Sequence, residues 1–223
     1  MNAMSRLALR ITTLALASLI ASCATRSISN PERPWGNGNT AYAGELSDFD
    51  VVGSGAADQP KSDDLVLRPH MRVLLVQSGA AFPDERMLSG LSKQFDVGAA
   101  SGIPTPTLRE LGMRYAAARG GFDGVIAYWG VLETTEHMNA GATVSWVPIA
   151  GAFVPDWNQR MRIRLRVVIL DVHSGRWRTL LTPPIDDERA SSMLTREDSD
   201  SHQVGRLMQA AIPVAVAAIT QGL

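Results

Sequence analysis

The chain has 223 residues, with 21 Lys and Arg against 22 Asp and Glu, and a single cysteine. A net charge of −1 leaves no basic excess of the kind that nucleic-acid binding requires. One cysteine excludes a disulfide framework, so the fold has to rest on an apolar core.

The first elements belong to export. Arg6 and Arg10 flank an apolar run, Ile11 to Ile20, relieved only by Thr12, Thr13 and Ser18, and the first acid is Glu32. Small residues Ala21 and Ser22 then precede Cys23. This order marks a secretory signal, because the apolar core is far short of the roughly 20 residues that a spanning helix needs. Ile20-Ala21-Ser22-Cys23 resembles the lipobox of bacterial lipoproteins, with an aliphatic residue at −3 and small residues before the cysteine. The resemblance implies that residues 1–22 are removed, that the Cys23 sulfur takes diacylglycerol and that the new amino group takes a fatty acid such as palmitate. Several acyl chains on one residue make a stable anchor, since each buried methylene contributes about 0.8 kcal/mol. Ala24, rather than Asp, after the cysteine resembles enterobacterial lipoproteins sorted to the outer membrane. The expected location is therefore the cell envelope, at the periplasmic face of the outer membrane. Removing 22 of 223 residues takes away Arg6 and Arg10 but no acid, which moves the balance from −1 to −3.

Residues 23–69 have little periodicity. Asn30-Pro31, Pro34-Trp35-Gly36-Asn37-Gly38-Asn39 and Gly53-Ser54-Gly55 are turn chemistry. The segment reads as a flexible tether with an average span of some 35 Å, at roughly 5–6 Å times the square root of its length. Apolar patches within it, such as Phe49-Asp50-Val51-Val52, are candidates to dock on the domain.

The domain is expected over 70–223. Arg72 to Gln77 is a short aliphatic run expected as a strand buried on both faces. Pro83-Asp84-Glu85 opens a helix carrying Met87, Leu88, Leu91 and Phe95 at helical spacing. Phe95 to Gly98 predicts a second strand. Pro106-Thr107 opens another helix, with Leu108, Leu111, Tyr115 and Ala118 on one stripe and Gly120-Gly121 as its stop. Gly124 to Leu132 predicts a strand, and an apolar excursion separates it from a long alternating strand, Met161 to Asp171. His173-Ser174-Gly175 turns the chain into a strand over 176–180. Polar residues 183–201 are expected as a loop, followed by a helix to about Ile219 in which Pro213 would form a kink or a break. No second apolar run is expected to reach membrane-spanning length, since Pro, Gly or charge interrupts each candidate.

A β-α-β-α order followed by an antiparallel β-meander and a C-terminal helix predicts an α/β domain, its mixed sheet packed with helices. The opening strand, this element order and the turn Leu170-Asp171-Val172-His173-Ser174-Gly175 resemble the amino-terminal domain of TolB. They are also similar to the periplasmic domains of the curli-secretion lipoprotein and of penicillin-binding-protein-activator lipoproteins. The resemblance covers about residues 70–220 and implies a non-catalytic part of an envelope assembly.

The strongest sign of catalysis is Glu133-Thr134-Thr135-Glu136-His137, one residue away from the H-x-x-E-H of inverted zinc peptidases. Glu133 and His137 would have to be zinc ligands at i and i+4 on a helix, with Glu136 as the base. The segment instead continues a predicted strand, where positions 133 and 137 share a face about 13 Å apart. No catalytic residue and no metal ligand is therefore assigned, and His70, His137, His173 and His202 show no ligand spacing. No phosphate or dinucleotide loop occurs, and no cofactor is expected. Asp186-Asp187-Glu188 and Glu197-Asp198 lack the spacing of a calcium loop.

Two features point to contacts. Arg160, Arg162, Arg164 and Arg166 alternate with Met161, Ile163, Leu165 and Val167, which puts four guanidinium groups on one strand face about 7 Å apart. Carboxylates such as Glu133 on a neighbouring strand would neutralise them, or they would dock an acidic partner, an anionic headgroup or peptidoglycan carboxylates. Residues 144–157 hold Trp146, Phe153 and Trp157 in an apolar segment, a candidate to cover the core or to contact another subunit or the membrane interface. The functional expectation is an outer-membrane lipoprotein that acts without catalysis through an envelope protein partner or self-association. An envelope hydrolase and a peptidoglycan-binding lipoprotein are the alternatives.

Overall fold

A computed structural model describes residues 22–28, 46, 48–53, 61–63, 65, 67–138, 157–191 and 196–221. Its spine is a long antiparallel pair. Strand β4 (Gly124–Met138) and strand β5 (Trp157–Asp171) stay in register from Gly124 opposite Asp171 to Met138 opposite Trp157. On β5, Met161, Ile163, Leu165, Val167 and Ile169 are fully buried on one face. The other face carries the arginines and then, from Val168 onward, is buried as well. Period-two alternation thus passes into a run buried on both sides, as it must where helices cover both faces.

Strand β2 (Arg72–Ser78) lies parallel to β4 on one side and to strand β3 (Asp96–Gly102) on the other. Every residue of β2 after Arg72 is buried, in agreement with its aliphatic composition. Strand β6 (Trp177–Leu181) borders the near half of β5. Two further strands line the far half of the central pair: β1 (Ser22–Ile28) beside β4 and β7 (Ile185–Ser191) beside β5. The result is one seven-stranded mixed sheet.

Helices cover it on both sides. Helix α2 (Glu85–Leu91) and helix α4 (Arg196–Thr220) bury Met87, Leu91, Leu207, Ile212 and Ile219 against the face formed by Val73, Ile126, Ile163 and Leu165. Asp84 caps α2 by accepting from the Arg86 amide, the role expected of an acid at that position. Its own amide donates to Gln77 Oε1 and the Tyr128 hydroxyl, tying α2 to the end of β2 and to Tyr128 within β4. Burial pushes the Tyr128 phenol far above its ordinary value, so it stays neutral. Helix α1 (Asp48–Val52) and helix α3 (Pro106–Arg119) cover the opposite face, where Val51, Val52, Met113 and Ala117 meet Leu74, Val125, Ala127 and Val168.

Four expectations are corrected. Leu111, Tyr115 and Ala118 do not form the buried stripe of α3: Leu111 and Tyr115 are exposed, whereas Met113 and Ala117 are buried. Gly112, at φ 74° and ψ 162°, breaks the helix and resets its phase. Residues 183–201 are not one loop, because β7 occupies 185–191 and α4 begins at Arg196. Strand β7 is held partly by charge: Asp186 stands opposite Arg162, and Asp187 meets Arg206 of α4 at 2.6 Å on the other face. The segment His202–Thr220 is, by length and composition, apolar enough to cross a membrane. Its stripe of Val204, Leu207, Met208, Ala211, Ile212, Ala215 and Ile219 is nevertheless spent on the core, and the helix runs unbroken through exposed Pro213. Finally, parts of 23–69 are bound to the domain: β1 joins the sheet, and Leu46, Val51, Val52, Leu65 and Leu67 are buried. The apolar patch at 49–52 docks because its valines close the α3 face.

The joint between α1 and α3 depends on glycine. A Cβ on Gly112 would fall 2.5 Å from the Gly53 Cα, and its backbone angles are essentially reserved for glycine. Gly112→Ala should therefore destabilise the domain by about 1–3 kcal/mol and release α1. Thermal melts and faster limited proteolysis around residues 48–53 check this; an unchanged cleavage pattern would mean that α1 does not depend on the joint.

Candidate interaction face

The registers of β1, β4, β5 and β7 arrange the arginines in rows across the sheet. Arg160 lies in line with Thr135, Cys23 and Glu188, and Arg162 with Glu133, Thr25 and Asp186. Arg164 stands opposite Val131, and Arg166 opposite Trp129 and Leu181. Facing residues of an antiparallel pair share a face, so charge meets charge where both strands supply it.

Asp186 is the centre of the network. Arg162 Nε donates to its Oδ1 at 2.7 Å, and Arg160 Nη2 approaches its Oδ2 at 3.4 Å. Glu133 lies 3.7 Å from Arg162 Nη1 and 3.9 Å from Arg164 Nε. The Arg166 guanidinium lies 5.7 Å from the centre of the Trp129 ring, a cation–π distance. The Arg162 hydrogen bond, aided by the charges of Arg162 and Arg160, holds the Asp186 carboxyl below the ordinary carboxylate value. Reciprocally, Asp186 raises the Arg162 guanidinium, first through the hydrogen bond and then through its charge.

The row therefore carries its own partial counter-charge: among the described residues, Glu133 and Asp186 contact Arg160, Arg162 and Arg164. It is still open to solvent, with side-chain exposures of 51% at Arg160 and 30% at Arg164. Among the described residues, the buried side chains of this face end at Trp129 on β4 and Val168 on β5, and the described helices stop where the arginines begin. Sequence reading placed the arginines and Glu133 but missed Asp186, which fell in the expected loop. The missed signal was a charge at 186 and 188 repeating with the same period of two as the arginines.

The other predicted residues are dispersed. Trp146 and Phe153 lie outside the described residues, and Trp157 opens β5. Residues 133–137 lie within β4 and not on the helix that zinc ligands at i and i+4 would need. Among the described residues, no three His, Cys, Asp or Glu side chains come together to hold a metal ion. An open groove of about 410 Å³, lined by Asp84, Glu85, Arg86, Ser89 and Gln209, lies between α2 and α4, away from the arginine row.

The described residues fold as one mixed α/β sheet with its helices, and the single cysteine of the chain lies in the first strand. A family model describing the YafT bacterial lipoproteins matches residues 42–222, and the chain belongs to that family. It is thus a membrane-anchored protein of the bacterial envelope. The match takes in α1, strands β2 to β7 and the other helices, and begins after β1. No curated protein matches the chain.

Asp186 makes the face sensitive to acid. Its folded pKa lies below its unfolded one, so its stabilisation is present above the unfolded value and is lost as pH falls through the folded one. Asp186→Asn should melt a few degrees or less below wild type at pH 7, and the gap should close below about pH 4. Thermal melts across that range test the sign; a gap that persisted in acid would assign the loss to packing.

Proposed function

We propose that this lipoprotein is anchored through Cys23 at the periplasmic face of the outer membrane and serves as a non-catalytic assembly component. Its arginine row docks an acidic surface of another envelope protein. The observation that carries this reading is the row itself, four guanidinium groups on the part of a sheet face that, among the described residues, the helices leave open. Residues 1–22 act as the export signal, and the match of 20–23 to a lipobox supports acylation of Cys23. Ala24 supports sorting to the outer membrane. The order β2-α2-β3-α3-β4-β5-β6 supports a relationship to the TolB-like domains, which join envelope assemblies without turning over a substrate.

A partner carboxylate would exploit the half-exposed state of the row. Glu133 and Asp186 orient the guanidinium groups without covering them, so an incoming acid finds donors already aimed. Solvent-exposed ion pairs contribute little to stability, which frees the row for binding.

Cys23→Ser should abolish fatty-acid labelling and leave the chain uncleaved or released from the membrane. Metabolic labelling with an alkynyl fatty acid decides it, equal label on both forms being the contrary result. Changing Arg162, Arg164 and Arg166 together to Gln should leave the melting temperature within several degrees of wild type. Recovery of partners from native membranes should fall at least about tenfold and lose much of its salt dependence. Unchanged recovery would reduce the row to a solvated ladder, and retention by purified peptidoglycan instead of protein would move the docking role to the cell-wall polymer.

A further inference from the structure

Strand β1 constrains where the membrane lies. On the reading proposed above, Cys23 is the acylated first residue of the mature chain. The part of β1 that remains in that mature chain, residues 23–28, pairs antiparallel with β4, Cys23 opposite Thr135 and Ile28 opposite Gly130. Strand β1 therefore starts at the far end of the β4–β5 pair and runs back toward the helix-covered half. Its acylated end stands three residues short of Met138, where β4 stops, or about 10 Å along the strand.

A free chain over 23–69 would let the domain drift some 35 Å from the bilayer in any orientation. A paired strand does not. Acyl chains on the Cys23 sulfur start at headgroup depth, so the Cα of Cys23 sits within a few ångströms of the glycerol layer. The row that contains Cys23 also contains Arg160, whose side chain is half-exposed. Arg162, Arg164 and Arg166 follow at steps of about 7 Å. The opposite end of the molecule, where Leu170 pairs with Trp177, lies thirteen residues of β5 beyond Trp157, about 44 Å away.

We infer that the far end of the β4–β5 pair is the face of the domain apposed to the bilayer that carries its own anchor. Strand β1 clamps acylated Cys23 into the sheet edge, the Arg160 row rests at the lipid phosphates, and the rest of the arginine row rises from the membrane surface. This orientation presents Arg162 to Arg166 to a partner held on the same membrane.

The cysteine content makes the test direct. Cys23 is the single cysteine and would be acylated, so an introduced cysteine is the only free thiol. Full-length protein is purified from membranes as Glu188→Cys, in the row of Cys23, or as Lys93→Cys, at the opposite end beside the start of β3. Both positions are exposed. Each variant is labelled with a fluorophore and placed in phosphatidylethanolamine–phosphatidylglycerol vesicles containing headgroup-spin-labelled lipid. The expected result is quenching several-fold greater at 188 than at 93. Adding Thr25→Pro with Arg26→Pro should erase the difference. Alternate amides of an edge strand face its neighbour, so adjacent prolines remove a ladder donor whichever one faces β4. Equal quenching at the two positions, or greater quenching at 93, overturns the orientation, and a difference that survives the prolines overturns β1 as the clamp. Mass spectrometry of the amino-terminal peptide from the same sample separates the two readings. An unacylated Cys23 refutes the anchor and the orientation with it, whereas an acylated chain with equal quenching refutes the orientation alone.

Discussion

The pairing of β4 with β5 is the constraint from which the remaining architecture follows. Fifteen consecutive cross-strand partners fix which side of each strand meets which helix layer. A slip of one residue would turn Arg160, Arg162, Arg164 and Arg166 toward the core and expose Met161, Ile163, Leu165 and Val167. Burying unpaired guanidinium groups costs far more than any gain from alternative contacts, so the alternation itself selects the register. With the pair in place, β2 has a parallel edge to join at the near half of β4, and β6 and β7 divide the length of β5 between them.

The two halves of this pair have different tasks. The near half is covered on both faces and holds the core, with Val168 and Leu170 buried on the same strand face that carries arginines further out. Among the described residues, the far half is covered on one face only, by α4 over Leu132, Met161 and Ile163. What remains open there is a row of cations held apart by Glu133 and Asp186 and, at its inner end, resting on Trp129. Intrinsic repulsion within such a row is reduced by acids placed on neighbouring strands at the same period. The guanidinium groups are thereby kept in place without being consumed.

Segments near the amino terminus are part of this design. Val51 and Val52 close the face under α3, and Gly112 gives way to let the chain at Gly53 approach. Strand β1 completes the far half of β4 on the side that β2 leaves empty. The YafT family match from residue 42 agrees with treating α1 as belonging to the domain.

Much of this was legible in the residues alone. The single cysteine, the β-α-β-α order, the turn at His173-Ser174-Gly175 and the arginine face are written in local composition and in periods of two or 3.6. The remainder depended on partners far away in the chain. Strand β7 has only Ile185 and Ala190 as apolar residues, and it forms because Arg162 is waiting for Asp186 and α4 for Asp187. Strand β1 carries no apolar alternation, and β4 supplies the edge that makes it a strand. The buried side of α3 was misread because one glycine backbone angle shifts the phase of everything after it. Helix α4 shows the limit most plainly: its composition fits a membrane span as well as a core helix, and only the sheet beneath it decides. Local sequence sets the period of each element and its chemistry, whereas the choice of partner is a long-range energy that exists only once the elements meet.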